Sequence, residues 1–268
     1  VFGELSLPPI FAADTYETPL DAPRLPWARV LGWTRLPFHW YTLCSVLRGR
    51  AAAQRGAFTC AQFLQCSEDV VRAAEGCGGR FQVTGLNHLT PDGPLVVIGN
   101  HMSFLETFAM PAMLLPRRPV SFVVKQSLLE HPGLGGILRA QEPVALTRTN
   151  PRADLRTMLS EGVQRLQAGR YLCVYPQSTR HFDFVESMFS SIGAKVAQRA
   201  GCPIVPVALR TDFLENGLLI KDMGPIHPER VVRFAFGPPI DSTDARQAQQ
   251  QVVSFIVSHL SAWGVPCH

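Results

Sequence analysis

The chain has 268 residues, which suits one sizeable α/β domain with an appendage at roughly 150 residues per domain. Hydrophobic residues make up 46% and charged residues 17%, a balance that excludes an intrinsically disordered chain. Lys and Arg number 25 against 21 Asp and Glu, and a net charge of +4 excludes a generally basic nucleic-acid binder.

The charge is unevenly placed. Between Asp21 and Glu68 lie 46 residues without an acid, carrying Arg24, Arg29, Arg35, Arg48, Arg50 and Arg55. That stretch is +6, and the remaining 222 residues sum to −2. It also holds Trp27, Trp33 and Trp40, three of the four tryptophans. Aromatic and Arg-rich helices suit the interface of an anionic lipid surface. Trp27, Arg29, Trp33, Arg35, Trp40 and Arg48 are therefore the candidate membrane-docking residues. Seven cysteines without a CxxC pair argue against a disulfide framework and a zinc site, and for a reducing compartment. No apolar run reaches 18 residues, so no spanning helix is expected, and residues 1–24 show no signal-peptide pattern.

In chain order, residues 1–24 read as an irregular arm punctuated by Pro8, Pro9, Pro19 and Pro23. Residues 25–49 read as two short helices broken at Pro37. At about 12 residues, or about 18 Å, each is too short for a hydrocarbon core of roughly 30 Å. A third helix is expected over 57–75, ending at Gly76, Gly78 and Gly79. These helices form a predicted docking element, residues 25–79. From residue 80 to 268, short β-rich runs alternate with helical stretches. Strands are expected at 81–86, 94–99, 120–125, 142–147, 171–175, 203–209 and 231–237. Helices are expected at 104–115, 127–139, 151–168, 189–200 and 243–262. Continuous apolar strands separated by helices predict an α/β fold with a mostly parallel mixed sheet covered by helices.

Sites in such sheets form at the carboxyl ends of strands. The strand 94–99 runs into Asn100-His101-Met102-Ser103-Phe104-Leu105-Glu106. A carboxylate five residues after a His can hold one ring nitrogen while the other takes a proton from an alcohol. Five residues in one ideal helix put side chains about 140° apart, so the pair requires His101 outside the helix. Taken alone, the segment reads more readily as a capping His followed by a solvated first-turn acid. The strand 171–175 runs into Gln177, Ser178, Thr179 and Arg180, and the strand 142–147 ends at Arg148. Small hydroxyls and Arg at strand ends suit an anion cradle, although 175–180 taken alone reads more readily as a Pro-initiated turn with a surface Arg.

Taken in order, NHMSFLE at 100–106, VALTR ending at Arg148, YPQSTR at 175–180 and CPIVPVAL at 202–209 resemble the four blocks of the glycerolipid acyltransferase family, of the 1-acylglycerol-3-phosphate acyltransferase type. The resemblance covers residues from about 80 to 240. It implies a membrane-associated enzyme, on the cytoplasmic face, that moves a fatty acyl group from acyl-CoA or acyl carrier protein to a hydroxyl of a lysoglycerolipid. That reaction needs no metal or cofactor beyond the thioester co-substrate. The resemblance makes His101 the general base, Glu106 its orienting acid, and Arg148, Gln177, Ser178, Thr179 and Arg180 the acceptor-binding residues. The chain departs from the family pattern in Glu106 for Asp, Gln177 for Glu, Ser178 for Gly, and Ser190 and Ser191 where a Lys pair is frequent. Those departures leave two alternatives, a catalytically inactive lipid-binding relative and a thioesterase.

Overall fold

A computed structural model describes residues 9–26, 36–89, 92–177, 179–217 and 222–268. Trp27, Arg29, Trp33, Arg35 and Ser178 lie outside the described residues. The elements are β1 (Tyr16–Glu17), α1 (Leu36–Gln54), α2 (Cys60–Gly76), β2 (Phe81–Thr84), β3 (Val96–Gly99), α3 (Leu105–Leu114), β4 (Val120–Lys125) and α4 (Gly135–Arg139). They continue with β5 (Val144–Leu146), α5 (Pro151–Thr157), α6 (Val163–Gln167), β6 (Tyr171–Val174), α7 (Ile192–Ala200), β7 (Ile204–Arg210), β8 (Val232–Phe236) and α8 (Ala245–Ala262).

Among the described residues the strands form one sheet in the order β1-β2-β8-β7-β3-β6-β4-β5. The five strands from β7 to β5 are mutually parallel, whereas β8 runs antiparallel to β7 and β1 antiparallel to β2. Every residue of β3 and of β6 is buried, as central parallel strands covered on both faces require. The parallel register has one decisive consequence: β7, β3, β6, β4 and β5 all end at the same edge. Close approach of β3 to β7 needs Gly99, where an added Cβ would lie 2.7 Å from the Val207 side chain. At the same place Asn100 Nδ2 donates to Leu209 O and Leu209 N–H donates to Asn100 Oδ1, both at 2.9 Å. This amide clamp locks the end of β3 to β7.

All seven expected strands form. The N-terminal arm is less irregular than expected. Its residues 16 and 17 pair with Val83 and Gln82 as an edge strand. Arg117 fixes the same arm by donating to Phe11 O and Ala13 O, and to Leu86 O and Met113 O. The first of the two helices expected here falls mostly on residues outside the described ones, and Pro37 itself lies within a helix. It sits in the first turn of α1, where its missing N–H has no intrahelical partner to lose, and α1 runs unbroken to residue 54. α2 starts at a capping box: Gln62 N–H donates to Thr59 Oγ1 and Thr59 N–H to Gln62 Oε1. The stretch expected as one helix over 151–168 is α5 and α6 joined by a π-helical turn, Met158–Gly162. That over 127–139 is a 3₁₀ turn followed by the short α4.

α1 carries an inverted pattern. Its buried stripe is Phe38, Thr42, Ser45, Gly49 and Ala52. Its exposed stripe is Leu36, Trp40, Leu43 and Leu47. At 100° per residue the latter four fall within about 60° of the helix circumference. Inward, Phe38 packs edge-on against Phe213 and His39 Nε2 donates to Gly224 O at 2.8 Å. Arg48 ion-pairs with the buried carboxylate of Asp69 on α2. Phe38 and the buried face of α2 belong to the same hydrophobic core as the sheet. Among the described residues no helix is long and apolar enough to cross a membrane.

Candidate active site

The loop between β3 and α3 brings His101 and Glu106 together. His101 lies before the helix, so the five-residue spacing closes: its Nδ1 is 2.9 Å from Glu106 Oε1. Glu106 is fully buried. Its Oε1 also accepts from Met102 N–H at 2.6 Å and Ser103 N–H at 2.7 Å. Its Oε2 accepts from Ser103 Oγ at 2.9 Å and Thr211 Oγ1 at 2.6 Å. Removing a carboxylate from water is unfavourable by several kcal/mol unless such bonds replace its hydration. Burial alone would push the Glu106 carboxyl up. The bonds from His101, Thr211 and the backbone outweigh it and hold the group below the ordinary carboxylate range.

An ionised Glu106 can only accept, so the network assigns the hydrogen to His101 Nδ1 and leaves the Nε2 lone pair for a substrate. The imidazole is stacked on Tyr175, with ring centroids 4.8 Å apart and planes 12° apart. Its backbone is held too: His101 N–H donates to Gln177 Oε1 at 2.6 Å, and His101 O accepts from His181 N–H at 3.0 Å. Gln177, expected to bind substrate, sits here as a buried support of the His101 backbone. Its carbonyl faces the His101 backbone, and it does not line the cavity described next. A glutamine does this without the burial penalty of a glutamate.

His101 opens on a cavity of about 440 Å³. One part of its wall is apolar, formed by Phe63, Phe108, Phe122, Val123, Val124, Leu134, Ile137 and Leu138. The other part carries Lys125, Arg148, Thr179, Arg180 and Asp222. The parallel sheet explains this convergence: Lys125 ends β4, Arg148 follows β5, Tyr175 follows β6 and Thr211 follows β7. Arg148 adopts φ 60°, a left-handed conformation unusual for a non-glycine. Asp154 holds it there, its carboxylate accepting from Thr147 N–H, Thr147 Oγ1 and Arg148 N–H. Burial lowers the Arg148 guanidinium from its usual range, and Asp154 partly opposes this. Arg180 donates through Nη2 to Asp222 at 2.5 Å, and its guanidinium lies 5.7 Å over the Phe104 ring. Its Nη1 is buried with no hydrogen-bond partner among the described residues.

The sequence reading missed Lys125, Tyr175, Asp222, Ser103 and Thr211. Lys125 and Thr211 could have been found by the strand-end rule that found Arg148. Asp222 had no such signal, because it is brought in by a loop between β7 and β8. Cys173 is fully buried in β6, and burial pushes its thiol up to about 12. Among the described residues no group of three or more His, Cys, Asp or Glu side chains is placed to hold a metal ion.

The model of the family described as "Acyltransferase" matches residues 80–210. Over these residues the chain is similar to the domain that this model describes. A relative from Pseudomonas aeruginosa, a 1-acyl-sn-glycerol-3-phosphate acyltransferase, is 32% identical over 131 residues, covering 49% of this chain and 49% of the relative. The human 1-acyl-sn-glycerol-3-phosphate acyltransferase alpha is 30% identical over 133 residues, covering 49% and 46%. The matched stretch thus spans about half of these relatives or less. The crystal structure of the 1-acyl-sn-glycerophosphate acyltransferase PlsC from Thermotoga maritima shares the fold more widely, with a TM-score of 0.61 at 17% identity over 88% of this chain and 91% of that one. Its coverage takes the acyltransferase fold beyond the matched domain, to most of the chain.

The buried carboxylate makes a pH-dependent prediction. Because Glu106 is depressed when folded, its stabilisation is complete above its unfolded value of about 4.3 and is lost as pH falls through the lower native value. Glu106→Gln should therefore be less stable than wild type in urea unfolding at pH 7, with the gap narrowing at pH 3.

Proposed function

We propose that the protein transfers a fatty acyl group from a thioester, on coenzyme A or acyl carrier protein, to a hydroxyl of a lysoglycerolipid. One observation carries the reading: a single cavity joins a base-ready imidazole, a cationic wall and an apolar wall. His101 Nε2 takes the proton of the acceptor hydroxyl as the oxygen attacks the thioester carbonyl. The tetrahedral intermediate collapses to the ester, the C–S bond breaks, and the departing thiolate takes the proton from His101. Glu106 holds the imidazole in the correct tautomer and stabilises the imidazolium between these steps. Direct transfer suits this site, because Cys173 is buried in the core and its thiol is held neutral.

Lys125, Arg148 and Arg180 against Asp222 give the cavity a formal surplus of two positive charges. A phosphomonoester carries about −1.5 to −2 at pH 7, which matches that surplus. This favours 1-acylglycerol-3-phosphate as acceptor, and the relatives named for that substrate point the same way. Arg180 Nη1, buried and unpartnered among the described residues, is suited to donate to the phosphate. The apolar wall suits an acyl chain.

The acceptor resides in a bilayer, and α1 is suited to meet one. Large apolar side chains on its outer face, with Trp40 63% exposed, favour interfacial binding by a peripheral or monotopic attachment at the anionic cytoplasmic face. Arg48 is less suited to that role than expected, because its guanidinium is engaged by Asp69.

A panel of lysolipids offered with acyl-CoA and acyl-carrier-protein donors, read by mass spectrometry, tests the reading. Wild type should acylate 1-acylglycerol-3-phosphate well and its phosphate-free analogue poorly, and His101→Ala should lose at least a hundredfold in turnover, within the usual range for general-base catalysis of about 10² to 10⁴. Thioester cleavage that does not depend on added lysolipid would establish a thioesterase instead, and a silent wild type a lipid-binding relative. The docking face makes a separate prediction. Leu43→Glu should reduce activity on acceptor in anionic vesicles while leaving activity on dispersed acceptor unchanged.

A further inference from the structure

The residue that ties the His101–Glu106 pair to the sheet lies outside all four sequence blocks. Four of the five donors to Glu106 come from its own loop: Met102 N–H, Ser103 N–H, Ser103 Oγ and His101 Nδ1. These would move with Glu106 if the loop moved. The fifth, Thr211 Oγ1, comes from the residue that follows β7, 105 positions away in sequence. Thr211 is completely buried, its Oγ1 lies 2.9 Å from Ser103 Oγ, and its N–H faces Met102 Sδ at 3.2 Å. A glutamate has one more rotatable bond than an aspartate, so its carboxylate has an additional way to swing away from the imidazole. Its Oε1 is held on the His101 side, and Oε2 is the oxygen a swing would displace. Ser103 and Thr211 both grip Oε2, but only Thr211 does so from the sheet.

We propose that Thr211 is a positioning residue for the acyl-transfer reaction: its hydroxyl fixes the Glu106 carboxylate against the end of β7, and through it the orientation of His101. The proposal rests on the function given above, in that Thr211 acts on the imidazole that serves as base. It also explains how the chain uses the longer acid at this position, since the extra methylene is taken up by reach toward β7.

Thr211→Val keeps the shape and removes the donor, whereas Thr211→Ser keeps the donor and removes the methyl group. The account expects kcat to fall about tenfold or more in Thr211→Val with KM for both substrates unchanged, in line with the roughly hundredfold effect that small misplacements of a catalytic group can have. Thr211→Ser should retain at least half of wild-type kcat. In a Glu106→Gln background, Thr211→Val should add less than a twofold loss, because residues acting through one another are not additive. Equal losses in the two backgrounds, a loss confined to KM, or a serine variant as impaired as the valine variant would overturn the proposal. Urea unfolding of the same four proteins of the cycle decides the matter without any turnover. Non-additive stabilities support the Thr211–Glu106 link and additive ones overturn it. A wild type that transfers no acyl group would refute the proposed function while leaving the unfolding cycle readable.

Discussion

A carboxylate with no exposed surface must replace every bond to water with a bond to protein. Glu106 does so with five donors, and much of the structure follows from supplying them. The chain must leave β3 in an extended loop so that the amides of Met102 and Ser103 can turn inward. α3 must start just after, placing Glu106 in its first turn, where the helix dipole favours an anion. β7 must end beside that turn to present Thr211. Gly99 and the Asn100 clamp meet this last demand by holding β3 and β7 in close register. Buried in this way, the carboxylate stays ionised and fixes the tautomer of His101, and Tyr175 and Gln177 fix its plane and its backbone. The site is rigid on the side that must orient a proton acceptor.

The cavity beside it is lined by both apolar and charged side chains. Lys125, Arg148 and Arg180 arrive from the ends of, or loops after, three neighbouring strands, β4, β5 and β6. Asp154 imposes a left-handed backbone on Arg148, an arrangement that is unfavourable by about 1–3 kcal/mol at a non-glycine and persists only where surrounding bonds over-determine it. Asp222 orients Arg180 through one nitrogen and leaves the other turned away from it. The apolar wall is shared between the sheet and the helices α2, α3 and α4. α1 also contributes Ser45 and Val46 to the cavity lining and turns Trp40 and Leu43 outward, so the helix proposed to meet a lipid surface is also part of the cavity wall.

Much of this was legible because it depends on local pattern. Seven apolar runs gave seven strands, and the strand-end rule located His101, Arg148, Thr179 and Arg180. The five-residue interval between His101 and Glu106 stated its own structural condition, which the loop before α3 meets. What was not legible depends on contacts between distant segments. Gln177 sits among residues expected to bind substrate, but its side chain turns inward to a backbone amide 76 positions away. Tyr16 and Glu17 form a strand only because the exposed edge of β2 is there to pair with. Thr211 lies two residues past the fourth sequence block, and its bond to Glu106 joins segments 105 positions apart.

The central claim is that a buried, ionised Glu106 holds His101 with its hydrogen on Nδ1 and its lone pair on Nε2. Nitrogen-15 NMR of histidine-labelled protein tests this directly, with His101→Asn identifying the signal. The account predicts a protonated Nδ1 and an unprotonated Nε2 for neutral His101, with the Nδ1 proton shifted downfield by its bond to the carboxylate. A neutral ring carrying its hydrogen on Nε2 would contradict it.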